Sequence, residues 1–248
     1  MITLDDIHLS YGESAVLRGL SLHVPKGQSV AIIGRSGTGK SAALRCILGL
    51  ERPDQGRILI DGQEAKRENR DSWLPRIGML FQGAALFDSL TVWQNVAFRL
   101  LHGRSKRPRS EARDLAVEKL LRVGLMPDVA DLYPAELSGG MQKRVGLARA
   151  IAIQPEIMLF DEPTTGLDPI TASVINRLIR EIVTEMGATA ITITHDMPSV
   201  RIIADDVALL HGGRLHWSGP VAQLDTSGDP FLEQFVHGRA TGPIRAMG

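Results

Sequence analysis

The sequence predicts an α/β protein in which a parallel-sheet core carries an antiparallel β-lobe and an inserted helical lobe. Three observations carry this reading. First, the apolar run Ser29-Val-Ala-Ile-Ile33 leads into Gly34-Arg-Ser-Gly-Thr-Gly-Lys-Ser41, and helical spacing then runs from Lys40 to Leu50 and ends at Gly49. Second, Ile7, Leu9 and Tyr11 alternate with polar residues, as do Leu20, Leu22 and Val24, and Gly56-Arg-Ile-Leu-Ile-Asp-Gly62 is a short run between glycines. These segments read as antiparallel strands. Third, Ile157-Met-Leu-Phe160 and Thr189-Ala-Ile-Thr-Ile-Thr194 flank the helical stretch Ile170 to Met186. Strand, helix, strand with a right-handed crossover makes a parallel sheet.

Gly34 to Ser41 matches G-x-x-x-x-G-K-[ST] at every fixed position. In that pattern glycines let the backbone turn so that successive N–H groups point inward at phosphate oxygens. Lys40 then reaches the β- and γ-phosphates, Ser41 offers its hydroxyl to Mg²⁺, and the helix start adds its partial positive charge. The phosphate-binding set is Gly34, Arg35, Ser36, Gly37, Thr38, Gly39, Lys40, Ser41 and Ala42. The strand before it and the helix after it argue against a chance glycine-rich turn.

The chain has 248 residues, enough for one large domain with an inserted lobe, and its 28 basic and 28 acidic residues cancel. No global field therefore argues for nucleic acid or an anionic surface. The single cysteine, Cys46, has no partner for an internal disulfide, which suits a reducing compartment and a buried apolar role. Met1-Ile-Thr-Leu-Asp-Asp6 has no leader pattern, and no apolar run approaches the roughly eighteen residues of a membrane span. A membrane process served by this chain needs another protein to cross the bilayer.

Tyr11, at the end of the first alternating segment, is an aromatic that either stacks on a base or simply packs. After the charged segment Glu64 to Asp71, Arg76-Ile-Gly-Met-Leu-Phe-Gln82 reads as a strand ending in glutamine. From Thr91 to about Ala152 the periodicity is helical, with Val92, Val96 and Leu100 on one face. Inside it Arg104, Lys106, Arg107, Arg109 and Arg113 surround Pro108. Blocks of like charge are usually solvated, so an exposed loop is expected there before a contact with lipid phosphates or nucleic acid. Val207 to Leu210 and Leu215 to Trp217, joined through Gly212-Gly213, form a closing hairpin. The polar tail after Pro220 contains one short amphipathic segment, Phe231 to Val236.

Two further stretches carry chemistry. Asp161 and Glu162 end an apolar strand, where Asp161 is suited to hold Mg²⁺ and Glu162 to accept a proton from attacking water. Leu137-Ser-Gly-Gly-Met141 opens a helix whose cap, Ser138, and glycines, Gly139 and Gly140, expose N–H groups to an anion. About a hundred residues separate it from the first phosphate site, so two chains are expected to face each other and clamp each nucleotide jointly.

Gly34 to Ser41, Gln82, Leu137 to Met141, Phe160-Asp161-Glu162, Gly166-Leu-Asp168 and His195 occur in the order and spacing of the ATP-binding subunits of ABC transporters, which the chain resembles from about Ile2 to Leu224. The resemblance implies a RecA-like P-loop core, an ATP-binding domain over 1–224 with a helical subdomain at about 88–152, and a homodimer that sandwiches two ATP. It implies Gln82 as the loop glutamine that touches Mg²⁺ and senses the membrane partner. It further implies Lys40, Glu162 and His195 as catalytic residues, with Glu162 as base and His195 at the γ-phosphate. Tyr11 falls near the adenine, and Ser138, Gly139, Gly140 and Asp168 act across the dimer. Met141 departs from the glutamine usual at its position. The segment Phe81 to Val96, Asp168-Pro-Ile170 and the tail resemble the ATPases of Mla-type phospholipid systems. That likeness implies a multi-spanning permease, a small STAS-domain protein and a periplasmic MCE-type protein as partners. It also implies a location at the cytoplasmic face of the bacterial inner membrane, and a tail, 225–248, that contacts a neighbouring subunit. Phe231 and Phe235 are accordingly expected to bury in a partner or on their own domain. The alternatives are an ATPase for a small-solute importer, or a soluble non-transport ABC ATPase. The latter is disfavoured because no long heptad insertion lies between Gln82 and Ser138, and no nucleic-acid partner is expected.

Overall fold

A computed structural model describes residues 1–103 and 106–244. The N-terminal elements are β1 (Ile2–Tyr11), β2 (Ser14–Val24), β3 (Ser29–Ile33), α1 (Lys40–Ile47), β4 (Gln55–Ile60), β5 (Gln63–Glu64), α2 (Arg70–Trp73) and β6 (Ile77–Leu80). Four helices follow, α3 (Val92–Val96), α4 (Phe98–His102), α5 (Arg109–Arg122) and α6 (Gly139–Ile151). The chain then alternates through β7 (Ile157–Asp161), α7 (Pro169–Met186), β8 (Thr189–Ile193), α8 (Met197–Ile203), β9 (Asp206–His211), β10 (Arg214–Pro220) and α9 (Pro230–Val236). The described residues form two compact units, 1–70 with 191–248 and 71–190.

In the first unit β2, β1, β4 and β5 make an antiparallel sheet. Ile2 faces Val24, Leu4 faces Leu22 and Leu9 faces Leu17, so the alternation seen in the sequence buries one side. The register shifts between Leu4 and Ile7, where Asp6 takes a left-handed φ of 52°. The same unit orders β10, β9, β3 and the end of β8, with β3 parallel to β9. All five residues of β3 are buried, which is why Val30 to Ile33 are apolar in succession rather than alternating. Ala31, Ile33, Val200, Val207, Leu209 and Leu224 form the core on one side of these strands.

In the second unit β6 runs parallel to β7, pairing Ile77 with Ile157 and Leu80 with Phe160. The start of β8 adjoins β7, with Thr189 N–H donating to the Glu156 carbonyl at 2.9 Å. Helix α6 approaches β6 closely: a methyl on Gly78 would lie 2.5 Å from the Ala150 carbonyl oxygen. Helix α7 is amphipathic, with Ile175, Ile179, Ile182 and Val183 buried, and it ends at Gly187 in a left-handed conformation.

Two expectations change. Part of the basic segment is helix rather than loop, since α5 begins at Arg109, and its charges are engaged: Arg107 pairs with Glu111, Arg113 with Asp131 at 2.6 Å, and Arg109 stacks 4.9 Å over the Trp93 ring. Arg104 lies outside the described residues. Helix α8 is not anticipated by the residue spacing; Asp196 caps it by accepting from the Ser199 N–H at 3.0 Å. Phe231 and Phe235 pack half-buried against the chain's own core around Leu232 and Leu224, one of the two burials expected of them. A two-turn helix with an apolar face buries it on the nearest apolar surface, here the outer side of β9 and β3.

Cys46 sits buried on α1, and burial pushes its thiol up to about 12, aided by Glu51 and Asp54. Unfolded thiols titrate near ~8.5, so stability should fall as pH rises from there towards the folded value. Urea midpoints at pH 7 and pH 10 are expected to differ more for the wild type than for Cys46→Ala, and thiol labelling at pH 7 should require unfolding.

Candidate active site

The phosphate-loop residues lie in the first unit. Between β3 and α1 the backbone turns through Gly34, Gly37 and Gly39 with φ of 147°, 80° and 98°. Two of these glycines are also forced by close approach. A methyl on Gly34 would meet the Leu210 carbonyl oxygen at 2.5 Å, and one on Gly39 the Leu17 side chain at 2.6 Å and the Val16 carbonyl at 3.0 Å. The turn is thus wedged between β9 and the hairpin of β1 and β2. Lys40 is buried, and its Nζ donates to the carbonyls of Gly34 at 2.7 Å and Arg35 at 2.8 Å. Thr38 braces the same turn, its hydroxyl donating to the Arg35 carbonyl at 2.9 Å. Arg35, Thr38 and Ser41 are half-buried, Ser36 and Gly37 exposed, and Ala42 buried on the core side of α1. Helix α1 starts with no acidic side chain in its first turn, so its N-terminal field is undiminished towards an anion.

His195 joins this loop at the same edge. The Thr194 N–H donates to the Ile32 carbonyl at 3.3 Å, so the exposed His195 leaves β8 beside the end of β3. It is held between the buried Thr194, whose hydroxyl accepts from the Asp196 N–H at 3.1 Å, and Asp196 at the start of α8. Tyr11 lies exposed at the end of β1, its hydroxyl donating to Glu51, which also takes Arg45 at 3.3 Å. Val16, which no motif marks, touches the loop more directly: its Cγ1 would lie 3.3 Å from a methyl on Gly39.

In the second unit the register of β6 on β7 sets Leu80 beside Phe160, so Gln82 and the pair Asp161 and Glu162 emerge at one end. Asp161 and Glu162 are half-buried and Gln82 is exposed. Glu162 takes a left-handed φ of 46°, a costly conformation for a residue with a long side chain, and its carboxylate accepts from the Thr165 hydroxyl at 3.1 Å. Lys143, buried on α6, donates to the Glu162 carbonyl at 3.4 Å. Burial pushes its ammonium pKa down, while the Glu162 and Asp161 carboxylates push it back up.

Ser138 caps α6, accepting from the Met141 N–H at 3.3 Å, and with Gly139 it is exposed. The first turn of α6 rests against the start of α7: a methyl on Gly140 would lie 3.0 Å from the Thr171 methyl. Asp168 caps α7 by accepting from the Ile170 and Thr171 N–H groups, both at 3.0 Å. Hydrogen bonding from Thr171, side chain first and then backbone, holds the Asp168 carboxyl below its ordinary pKa. The Gln82 loop is fastened by two residues that no motif announces. Asn95, fully buried, accepts from Phe87 N–H at 2.8 Å and donates to the carbonyls of Phe87, Leu90 and Thr91, and Arg149 donates to those of Ala84 and Ala85.

A buried parallel strand, a turn closed on lysine and a helix start define a nucleoside-triphosphate-binding α/β protein. The family model described as ABC transporter matches residues 17–165. Over 247 residues the chain is 38% identical to the intermembrane phospholipid transport system ATP-binding protein MlaF of Escherichia coli K12, covering 98% of this chain and 91% of that protein. It is 40% identical over 238 residues to the probable ribonucleotide transport ATP-binding protein mkl of Mycobacterium leprae, covering 95% of this chain and 68% of that protein. Among solved structures, the dimeric post-hydrolysis ATP-binding cassette MJ0796 with ADP and Pi superposes with a TM-score of 0.81 at 32% identity, over 89% of this chain and 99% of that one. The chain belongs to the ABC transporter family, as an ATP-binding subunit that hydrolyses ATP.

Gly34→Ala tests the wedge of the phosphate loop, because backbone, not a movable side chain, occupies the space. Urea unfolding is expected to show a loss of about 1–3 kcal/mol, the range for overpacking, together with weakened ATP binding.

Proposed function

We propose that this chain is the motor of a phospholipid transporter. Two copies close head to tail on two ATP molecules at the cytoplasmic face of a bacterial inner membrane, and hydrolysis drives a separate multi-spanning permease. A STAS-domain protein and a periplasmic MCE-type protein complete the assembly. The observation that carries the cargo is the near end-to-end match to a relative whose name says intermembrane phospholipid transport. Among the described residues no helix is long and apolar enough to cross a membrane, and in this reading the permease supplies the crossing. Residues 1–224 form the ATP-binding domain, its helical subdomain spans about 88–152, and the tail over 225–248 serves a subunit contact. Of that tail, α9 packs in its own core, which leaves the segment after His237 for the contact; residues 245–248 lie outside those described.

In this reading a water oxygen attacks the γ-phosphorus, its proton passes to the Glu162 carboxylate, and the bond from phosphorus to the β–γ bridging oxygen breaks, releasing ADP and phosphate. Lys40 and the N–H groups of Gly34 to Ala42 receive the charge on the β- and γ-oxygens, and His195 donates to the γ-phosphoryl group. Ser138, Gly139 and Gly140 of the opposing copy complete the clamp, Asp168 speaks across the dimer, and Tyr11 lies against the adenine. Ser41, Gln82 and Asp161 offer a hydroxyl, an amide oxygen and a carboxylate, hard oxygen donors that suit Mg²⁺. With a single carboxylate among them they fit an ion bound largely through nucleotide oxygens and water rather than caged by protein. Mg²⁺ there supplies neutralisation of phosphate charge.

Each transition-state donor withdrawn costs about 2.7–4 kcal/mol, so a monomer, lacking its neighbour's Ser138 and glycines, should be nearly inactive. Specific activity is expected to collapse on dilution in step with monomer formation by sizing; constant activity across that range refutes the shared site.

The mycobacterial relative favours a second reading, transport of a ribonucleotide, although this chain spans a smaller share of that protein. Purifying Glu162→Gln from mildly solubilised membranes with ATP separates the two. The variant should retain ATP and lose turnover by about a hundredfold or more. A permease recovered with phospholipid supports the first reading; a permease recovered with ribonucleotide and no lipid supports the second.

A further inference from the structure

The carbonyls that follow Gln82 are held by the same helix that begins at Ser138. Ala84 and Ala85, the second and third residues after Gln82, both take left-handed φ, 63° and 46°. That conformation costs an L-residue of the order of 1 kcal/mol each, so something must over-determine it. Arg149 does so: Nη1 donates to the Ala85 carbonyl at 2.8 Å and Nη2 to the Ala84 carbonyl at 2.5 Å. Its guanidinium is largely removed from water, which lowers its pKa, yet an arginine remains charged throughout the physiological range.

Packing gives the same connection independently. Gly146, one turn earlier on α6, has room for no side chain: a methyl there would lie 2.7 Å from Leu80 Cδ1 and 3.1 Å from Ala84 Cβ. The helix therefore lies directly on the end of β6 and the first part of the Gln82 loop, and Arg149 reaches over that contact to the carbonyls. At 1.5 Å per residue, α6 carries any displacement of Gly139 about 15 Å to Arg149 as a rigid rod.

We propose that Arg149 is a positioning residue that clamps the Gln82 loop to the Ser138 helix, so that the glutamine and the anion-binding helix start move as one piece. This rests on the roles given above to Gln82 and Ser138. A nucleotide bound at one copy's helix start would thereby set the Gln82 of that same copy, which serves the other nucleotide. The clamp makes the two sites of a dimer mechanically dependent without any residue touching both.

The test uses the full chain with Arg149→Lys, Gln82→Ala and the double variant. Lysine keeps the charge and offers a point donor in place of the fork. Hydrogen exchange of residues 83–91 should accelerate at least about tenfold in Arg149→Lys while α6 stays protected, since exchange follows local opening. Misplacement of this size should lower kcat for ATP about ten- to a hundredfold with little change in KM. In the Arg149→Lys background, Gln82→Ala should lose most of its own effect on kcat, as coupled residues do. Unchanged loop exchange overturns the clamp, and so do rate effects that simply multiply. If Gln82→Ala alone leaves kcat intact, the role of Gln82 fails, while loop exchange still decides the clamp. Should Arg149→Lys melt early, Ala85→Gly replaces it: glycine accepts the left-handed φ freely, and loop protection that survives this change is the clamp's signature. Loss of protection would assign the loop's order to backbone stiffness and overturn the proposal.

Discussion

The turn from Ile33 to Lys40 has no space for a side chain at Gly34 or Gly39, and the first unit is arranged around that restriction. On one side the Leu210 carbonyl presses on Gly34; on the other Val16 and Leu17 press on Gly39. A strand on each side of the turn is thus fixed in distance as well as direction. The hairpin beyond β9 is drawn in too, since the Arg18 N–H donates to the Gly213 carbonyl at 2.9 Å and a methyl on Gly213 would strike the Val16 carbonyl at 2.5 Å. With the turn held from two sides, the lysine ammonium can be buried against carbonyls instead of waving in water. That placement holds a cation at the start of α1 in a fixed position, with little left to reorganise around it.

Much of this was legible in the sequence, for a physical reason. Backbone-defined anion sites demand glycines at fixed spacing, apolar buried strands demand unbroken runs such as Ser29 to Ile33, and a strand that ends in Asp161 and Glu162 is chemically conspicuous. Each is a local constraint, so it leaves a local trace. The antiparallel strands were legible through period two, and the helical segment through period near 3.6.

What the sequence does not show is whatever depends on a main-chain acceptor, near in the chain as for Asn95 or distant as for Arg149. Asn95 and Arg149 look like ordinary polar residues on helices, because the carbonyls they serve belong to loops and carry no residue identity of their own. Lys143 looks like a solvated lysine one turn into a helix, yet it is buried because Glu162 and Asp161 stand behind it. The aromatic pair at Phe231 and Phe235 is legible only in part: amphipathic spacing shows that a face is buried, never against what. The basic segment misleads through counting, since Glu111 sits within the run and Asp131 and the Trp93 ring lie outside it, and all three engage its charges.

Helix α6 shows why such residues matter more than their anonymity suggests. Its capping residue, Ser138, is exposed, and its length is spent inward on other segments. Lys143 meets the Glu162 carbonyl at 3.4 Å, Arg144 the Val123 carbonyl at 2.7 Å, and Arg149 the Gln82 loop. Gly146 removes the side chain that would hold the helix off β6. Cations placed on carbonyls lose less than cations placed in bare apolar core, because a charged donor makes the stronger hydrogen bond. Such bonds are also directional, so they resist sliding in a way that apolar contacts do not. A helix fastened at three places by directional bonds, and seated on a strand through glycine, has few ways to yield except as a whole. The Ser138 end of α6, the Glu162 carbonyl and the Gln82 loop are thereby joined through one helix, and the sequence hides this because the joints are made on backbone acceptors.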